Sequence, residues 1–517
     1  MNSLSRQHGF TMVAVMVTML VTGLLGIAAF ASVNGDLPFS RDSKDRKLAY
    51  GAAEAGLNYY LFQLNRDFDY WSKCTSGPPP GPTEPNPVNQ KWNGAGADPR
   101  NFRKVQGGKA EYALEMMPAN GFTQCIVNNG PSVIDNASST FSLRTTGRSG
   151  EVKRSVGATL RRKSFLDFLY FTDFETLDPK AYAAAADQAD AATYCGQPRA
   201  GRDASPFNCT NIIFQDADTV NGPLHTNDDL LTCGTPEFGR NVNDRIEVVG
   251  PLPGIKPSGG SCPAGVPVMN GTFQAGAQAM LMPLTAQPLA ARADPAYLYT
   301  GKTTIVLNGL TMTVTNASVT GDGGALNTPK TLPLPANGVI YVKQSSCSYS
   351  VSPLVADYLE PPSCATLYVK GNYASSLTIA SQNDVIINGD ITSSNDAIAG
   401  IIADNFVRVY HPVTRSSGSC VANVQAPRDF RIDSALVSLM HSFIVDNWNC
   451  GAHLGTLTVN GAIAQKFRGP VGLVGSSGYF KNYLYDDRFR YRSPPYFVEP
   501  VAAAWRVLRT NEQVPAR

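Results

Sequence analysis

The sequence predicts a mainly β protein with a long N-terminal α-helix. The helix is expected to carry a small antiparallel sheet, followed by an irregular parallel β-solenoid, with a β-sandwich as the rival for that second part. Three observations predict this class. Residues 10–33 run for 24 positions without a charge, and a one-sided apolar stripe comes after them. Gly and Pro number 46 and 36 of 517 residues, so the chain turns often and makes few long helices. Strand-like pieces end repeatedly in Asn-Gly, at 221–222, 270–271, 308–309, 388–389 and 460–461. The expected organisation is a leader over 1–9, a helix over 10–70, a Pro-rich linker over 71–90, a small sheet over 91–165, a solenoid-like unit over 166–500 and a tail over 501–517.

As a helix the uncharged run is about 36 Å long, enough to cross a hydrocarbon core of about 30 Å. Arg6, in the short segment before it, keeps that end cytoplasmic, so the bulk of the chain emerges on the far side. The run can be a plain membrane anchor, a secretory signal cut near Ala29-Phe30-Ala31, or the start of a mature chain whose leader is cut between Gly9 and Phe10. Residues 35–66 argue for the last. Gly35 and Pro38 mark a break or kink, and a dense charge cluster occupies 41–47. Leu48, Ala52, Ala55, Tyr59 and Phe62 then form a helical stripe, with Glu54, Gln63 and Arg66 away from it. A cleaved secretory signal needs no such continuation, whereas a subunit that bundles with neighbours does.

Gly9-Phe10-Thr11-Met12 ahead of an apolar stretch resembles the type IV pilin signature. The segment 49–58, with Ala53, Glu54, Ala55 and Gly56 at its centre, resembles the AEAG motif of PilX-type pilus assembly proteins, a minor-pilin group. The resemblance covers residues 6–66, about an eighth of the chain. It implies a prepilin leader removed by a prepilin peptidase, other pilins and the pilus assembly machinery as partners, and a path from the cytoplasmic membrane to the cell surface. One departure matters. Major pilins carry a glutamate at the fifth mature position, thought to pair with a neighbour's terminal amine; counted from Phe10, that position is Ala14. Alanine avoids a charge in lipid but loses the pairing, which in related machines marks the subunit at the filament tip. The resemblance therefore implies a minor or tip subunit that displays a large extracellular domain for assembly or attachment. The alternative is a membrane-anchored surface carbohydrate-binding protein or glycan-active enzyme, and a surface adhesin unrelated to pili is a third reading.

Beyond the linker, 111–116, 140–145 and 151–160 read as the strands of a small sheet packed on the helix. The aromatic stretch 165–179 reads as a core strand or a plug over the next unit. Asn-Gly pairs suit either tight antiparallel hairpins or the corners of a coil of parallel strands. Their spacing shows no period, so a coil requires long insertions. In 384–391, Val385, Ile387 and Ile391 share one face and Asp384, Asn388 and Asp390 the other, which fits a rung with a filled interior. Ten cysteines without a CxxC pair favour disulfides outside the cytoplasm. They fall into neighbouring couples, Cys74 and Cys125, Cys195 and Cys209, Cys233 and Cys262, Cys347 and Cys364, Cys420 and Cys450; the sequence leaves connectivity open, and sequential pairing is the simplest.

With 43 Lys+Arg against 41 Asp+Glu, the chain lacks the basic excess of a nucleic-acid binder. Catalytic constellations are hard to find. His441 reads as a core histidine on the face of Val437, Leu439, Phe443 and Val445, and His411, before Pro412, as a strand end. His225, Asn227 and Asp229 could line one face of a strand and hold a cation, but 225–229 reads better as a polar turn. Asp228-Asp229 and Asp486-Asp487 are adjacent, so on strands they point apart, unlike a glycosidase pair. The expectation is a protein that is not an enzyme, with no metal and no cofactor.

Overall fold

The computed structural model describes residues 10–67, 70–73, 102–119, 122, 126, 132–135, 140–216, 218–258, 262, 265–316, 328–473, 475–501 and 503–516, the side chains of 10, 11, 29–40 and 73 excepted. Its contacts separate two compact units, one of 1–134, 140–161 and 505–517, the other of 135–139 and 162–504.

The first unit is a helix laid on an antiparallel sheet. The helix, Phe10–Arg66, runs for 57 residues, and the break expected at Gly35 and Pro38 does not interrupt it. Glu111–Met117, Thr140–Ser149 and Val152–Arg162 pair antiparallel in that order. Val152–Arg162 has a second neighbour from the far end of the chain, Trp505–Gln513. The segment set apart in sequence as a tail over 501–517 thus supplies a strand. Alternation dictates this: Trp505 turns inward onto Phe141, with ring centroids 4.9 Å apart, while Glu512 pairs with Arg154 outside. Tyr60, Leu64, Leu114, Leu143, Leu160 and Trp505 complete the core. The linker expected over 71–90 lies almost entirely outside the described residues.

The second unit is built of parallel ladders. Along one, Leu377–Ser381 pairs with Ala399–Ala403, which is followed by Ala435–Ser438 and then by the later half of Thr456–Arg468. A second ladder joins 367–369, 385–387, 407–409 and 443–445. A third joins 371–373, 391–393, Arg431–Ile432, the earlier half of Thr456–Arg468 and Phe480–Tyr485. Each circuit of the chain adds a strand to each ladder, and side chains such as Ile379, Ile387, Ile401, Val407, Val437 and Val459 fill the interior. The circuit is 22 residues from Leu377 to Ala399 and lengthens where loops are inserted, as over 411–429, whose Val413–Ser416 and Ser419–Asn423 form a hairpin.

The order of circuits in space is not their order in sequence. Tyr170–Leu177 enters the stack beside the last long strand, pairing with 463–468. The chain then climbs through Leu224–Thr226 and Arg245–Val248 to Thr272–Ala275. Residues 276–297 run back along the stack, touching Val248, Asn227 and Asp404 by hydrogen bonds. The chain restarts at Leu298–Thr300 and returns circuit by circuit to where it entered.

Close approach, more than turn geometry, explains the Asn-Gly pairs. At 270–271 and 460–461 the glycine lies at a corner between ladders, and an added Cβ would stand 2.6 Å from the Asp244 carbonyl oxygen or 2.0 Å from that of Ser434. Neither glycine has positive φ. Gly309 does, at 63°, in the tight turn joining Thr303–Gly309 to its antiparallel neighbour Thr311–Asn316.

Candidate functional site

The N-terminal helix has two halves with opposite surroundings. Every described side chain over 12–28 is exposed, with Met12, Met19 and Ile27 each at 69–70%. A surface this apolar, covered by none of the described residues, is an interaction surface. Its only hydroxyls turn inward: Thr18 donates to the Ala14 carbonyl and Thr22 to that of Thr18, both at 2.7 Å. The helix therefore meets an apolar environment with its polar atoms satisfied. Ala14 presents a bare methyl on this surface. Gly9 lies outside the described residues, and Phe10 is the first residue of the helix. Among the described residues no helix is long and apolar enough to cross a membrane; the described part of the uncharged run, 12–28, is shorter than the run itself.

The second half is held against the sheet by small residues. Gly147, in the middle of Thr140–Ser149, lies under the helix, and a Cβ there would stand 1.9 Å from the Ala49 carbonyl oxygen and 2.5 Å from the Ala53 nitrogen. At Gly56 the space of the missing side chain is taken by the Tyr112 ring, 2.8 Å from an added Cβ. Within Ala53-Glu54-Ala55-Gly56, then, Ala53 and Gly56 face the sheet, Ala55 is half-buried and Glu54 is exposed. The packed stripe is Ala49, Ala52, Ala53, Leu57, Tyr60 and Leu64. This corrects the expected stripe: only Ala52 belongs to it fully, Leu48 and Phe62 are exposed, and Gln63 is buried with its amide 2.7 Å from the Tyr59 hydroxyl. Close seating on Gly147 requires alanines at the contact, which turns the bulkier Leu48 and Phe62 outward. A glycine inside a strand was the available signal for this contact.

In the second unit the sequence-nominated groups do not converge. His225 is fully buried within Leu224–Thr226, so the polar-turn reading fails at that residue. Its Nδ1 lies 2.9 Å from Glu247 and its Nε2 3.1 Å from the Asn227 oxygen. Burial alone would raise the Glu247 carboxyl, but the His225 hydrogen bond and the Lys163 charge hold it at about 2. Asp229 instead pairs with Lys256 at 2.6 Å, and Asp228 with Arg202 at 2.6 Å. Asp486 and Asp487 likewise separate, toward Arg488 and Arg240. His441 is not a core residue: it is partly exposed, stacked on Phe406 and 3.1 Å from Asp178. His411 is fully buried between the Asp446 carbonyl and the Asn423 side chain, just beyond Val407–Val409. Among the described residues no group of three or more His, Cys, Asp or Glu is placed to hold a metal ion.

One buried polar cluster was not nominated in sequence. Arg408 is fully buried with three carboxylates, Asp446 at 2.8 Å, Asp384 at 3.0 Å and Glu360 at 3.3 Å. Burial raises the Asp446 carboxyl to about 6 despite the opposing pull of Arg408. A lone arginine in the apolar run 406–410 was the signal. A cavity of about 20 Å³, lined by Tyr170, Asp218, Gln465, Arg468 and Lys481 among others, has room for a water molecule. Disulfides join Cys195–Cys209, Cys233–Cys262, Cys347–Cys364 and Cys420–Cys450. Cys74 and Cys125 lie outside the described residues.

Comparison with known proteins bears on the N-terminal segment. Residues 4–30 match the model of the prokaryotic N-terminal methylation motif. Among curated proteins none matches the chain. Among solved structures, the competence-associated pilin ComZ from Thermus thermophilus aligns with 91% of this chain and 97% of its own. The TM-score is 0.30 and the identity 12%, a similarity that does not establish a shared fold. The methylation motif takes in Gly9 and Phe10 and the exposed apolar stretch of the helix over 12–28.

Proposed function

We propose that this protein is a minor subunit of a type IV pilus or related secretion filament, placed at or near the distal end. A prepilin peptidase cuts between Gly9 and Phe10. The apolar half of the helix holds the precursor in the cytoplasmic membrane as a single span, with the bulk outside, and then packs among the helices of other pilins. The two β units are displayed outward for assembly or attachment, and the PilX-type motif at 53–56 seats the helix on its sheet.

The observation that carries this reading is the continuous helix itself. Its 12–28 stretch is apolar and exposed on all sides, while its 49–64 stretch is locked to a sheet of the same chain. Ala14 supports the distal placement. An acidic group in low-dielectric surroundings is costly unless paired, and a subunit with none above it has no terminal amine to satisfy. The bulk of the second unit supports sparse incorporation. The test is immunogold labelling of filaments with antibody against that unit. Gold at filament ends is the expected result. Regular labelling along the shaft, at a stoichiometry near that of the major pilin, would refute the placement.

A further inference from the structure

One end of the parallel stack is left open. Its last circuit consists of Ile255–Pro257, Val268–Met269 and Thr272–Ala275, each of which takes its register from one neighbour: Leu230–Thr232, Glu237–Phe238 and Arg245–Val248 respectively. No described strand pairs on their outer side. The opposite end differs, since there the antiparallel strands Thr311–Asn316 and Lys330–Pro333 cover Thr303–Gly309. An uncovered strand edge presents a row of unpaired backbone donors and acceptors whose natural complement is another strand.

The chemistry of the open end points the same way. Proteins that expose edges usually guard them with charge. Between Val248 and Ala291 the sequence holds a single charged residue, Lys256, although 16% of the whole chain is charged. Lys256 is itself tied to Asp229. Large apolar side chains stand out around this circuit, with Leu252 82% and Val266 80% exposed and Val242 and Val268 also on the surface. Depletion of charge within an apolar, exposed patch is the signature of an interface centre.

We propose that this end is an interface between two copies of the chain, joined by antiparallel pairing of Thr272–Ala275 with itself across a two-fold axis. A second copy is the occupant the surface favours. A partner of different sequence is selected by complementary charge, and the last circuit offers only Lys256, already tied to Asp229. Two identical neutral ends meet without like-charge repulsion, and an edge paired to its own copy is self-complementary under two-fold symmetry. The pleat fixes the register. Residues that face each other across an antiparallel pair share a sheet face, so an axis through Phe273 sets the two Phe273 rings together on the half-buried side. It also places Thr272 opposite Gln274 of the second copy on the exposed side. Pro257 lacks an N–H, so the pairing rests on Thr272–Ala275. Carried on separate filaments, such copies join one filament end to another.

The experiment is sedimentation equilibrium of the full chain in detergent, with charge-swapped variants at the exposed positions. Thr272→Lys with Gln274→Lys places lysine opposite lysine across the axis and should weaken self-association at least tenfold. Thr272→Glu with Gln274→Glu should do the same. Mixing the two should restore the dimer, as hetero-pairs only, a rescue that misfolded variants cannot give. Leu20→Asp, in the apolar helix, separates this contact from association through the helix and should leave the pairing intact. A chain that stays monomeric at every concentration overturns the proposal. So does a dimer indifferent to both charged variants, or a Gln274→Cys variant that a short bismaleimide links on the cell surface to a different protein and not to itself.

Discussion

Gly147 shows how one residue sets a contact on which the first unit depends. An added methyl there would meet helix backbone, not a side chain that could swing aside. Gly147→Ala is therefore expected to cost about 3 kcal/mol, the upper end for overpacking, measured as loss of stability in denaturant melts. A change within about 0.5 kcal/mol would show that helix and sheet are less closely seated. Asp446 gives a pH signature. Its carboxyl is raised to about 6 by burial, against about 3.9 for an unperturbed aspartate. The folded state thus binds that proton more tightly than the unfolded state. The stability it contributes is complete below about pH 4 and is lost as pH rises through about 6. Asp446→Asn removes this dependence, so the stability difference between variant and wild type should shift in the variant's favour from pH 4 to pH 7. A difference constant with pH would contradict the assignment. Glu247, held at about 2, acts in the opposite sense: its contribution is complete above about pH 5 and is lost as pH falls through about 2. Neither Gly147 nor Asp446 stood out in sequence, because each owes its role to a neighbour about a hundred residues away or to a ladder partner.

At the scale of elements, the helix, the three antiparallel strands after it and the interior face of 385–391 were legible because periodicity alone defines them. The helix face was not. Leu48 and Phe62 are the more hydrophobic residues, yet alanines win the contact because the sheet offers a glycine there. The coil was visible only as repeated corners, since inserted loops stretch a 22-residue circuit to irregular lengths and erase the period. The disulfides clip such loops. Cys347–Cys364 and Cys420–Cys450 span 17 and 30 residues, and closing loops of that size contributes about 3–4 kcal/mol each in the chain-entropy model. Native protein from the cell surface should leave Cys195, Cys209, Cys233, Cys262, Cys347, Cys364, Cys420 and Cys450 unlabelled by a thiol reagent until it is reduced. Labelling of several of them beforehand would contradict the pairing.

The whole molecule is organised by two long-range closures that no local pattern announces. Trp505–Gln513 returns to the sheet of the first unit, and 463–468 returns to Tyr170–Leu177 in the second. Truncation after Ala504 removes Trp505 from the core and exposes the edge of Val152–Arg162, so the shortened chain should fail to accumulate. Accumulation at the wild-type level would show that the strand is dispensable. The methylation motif was legible over residues 4–30, where the signal is contiguous, and the stack was far less so, since its contacts depend on which circuits become neighbours. The central claim, that the chain is processed and assembled as a pilin, is tested most directly by mass spectrometry of the mature N-terminus. The account predicts a chain beginning at Phe10 and N-methylated, with Gly9→Val leaving the uncut precursor in the membrane. A mature terminus at Ser32, or a chain that keeps residues 1–9, would contradict it.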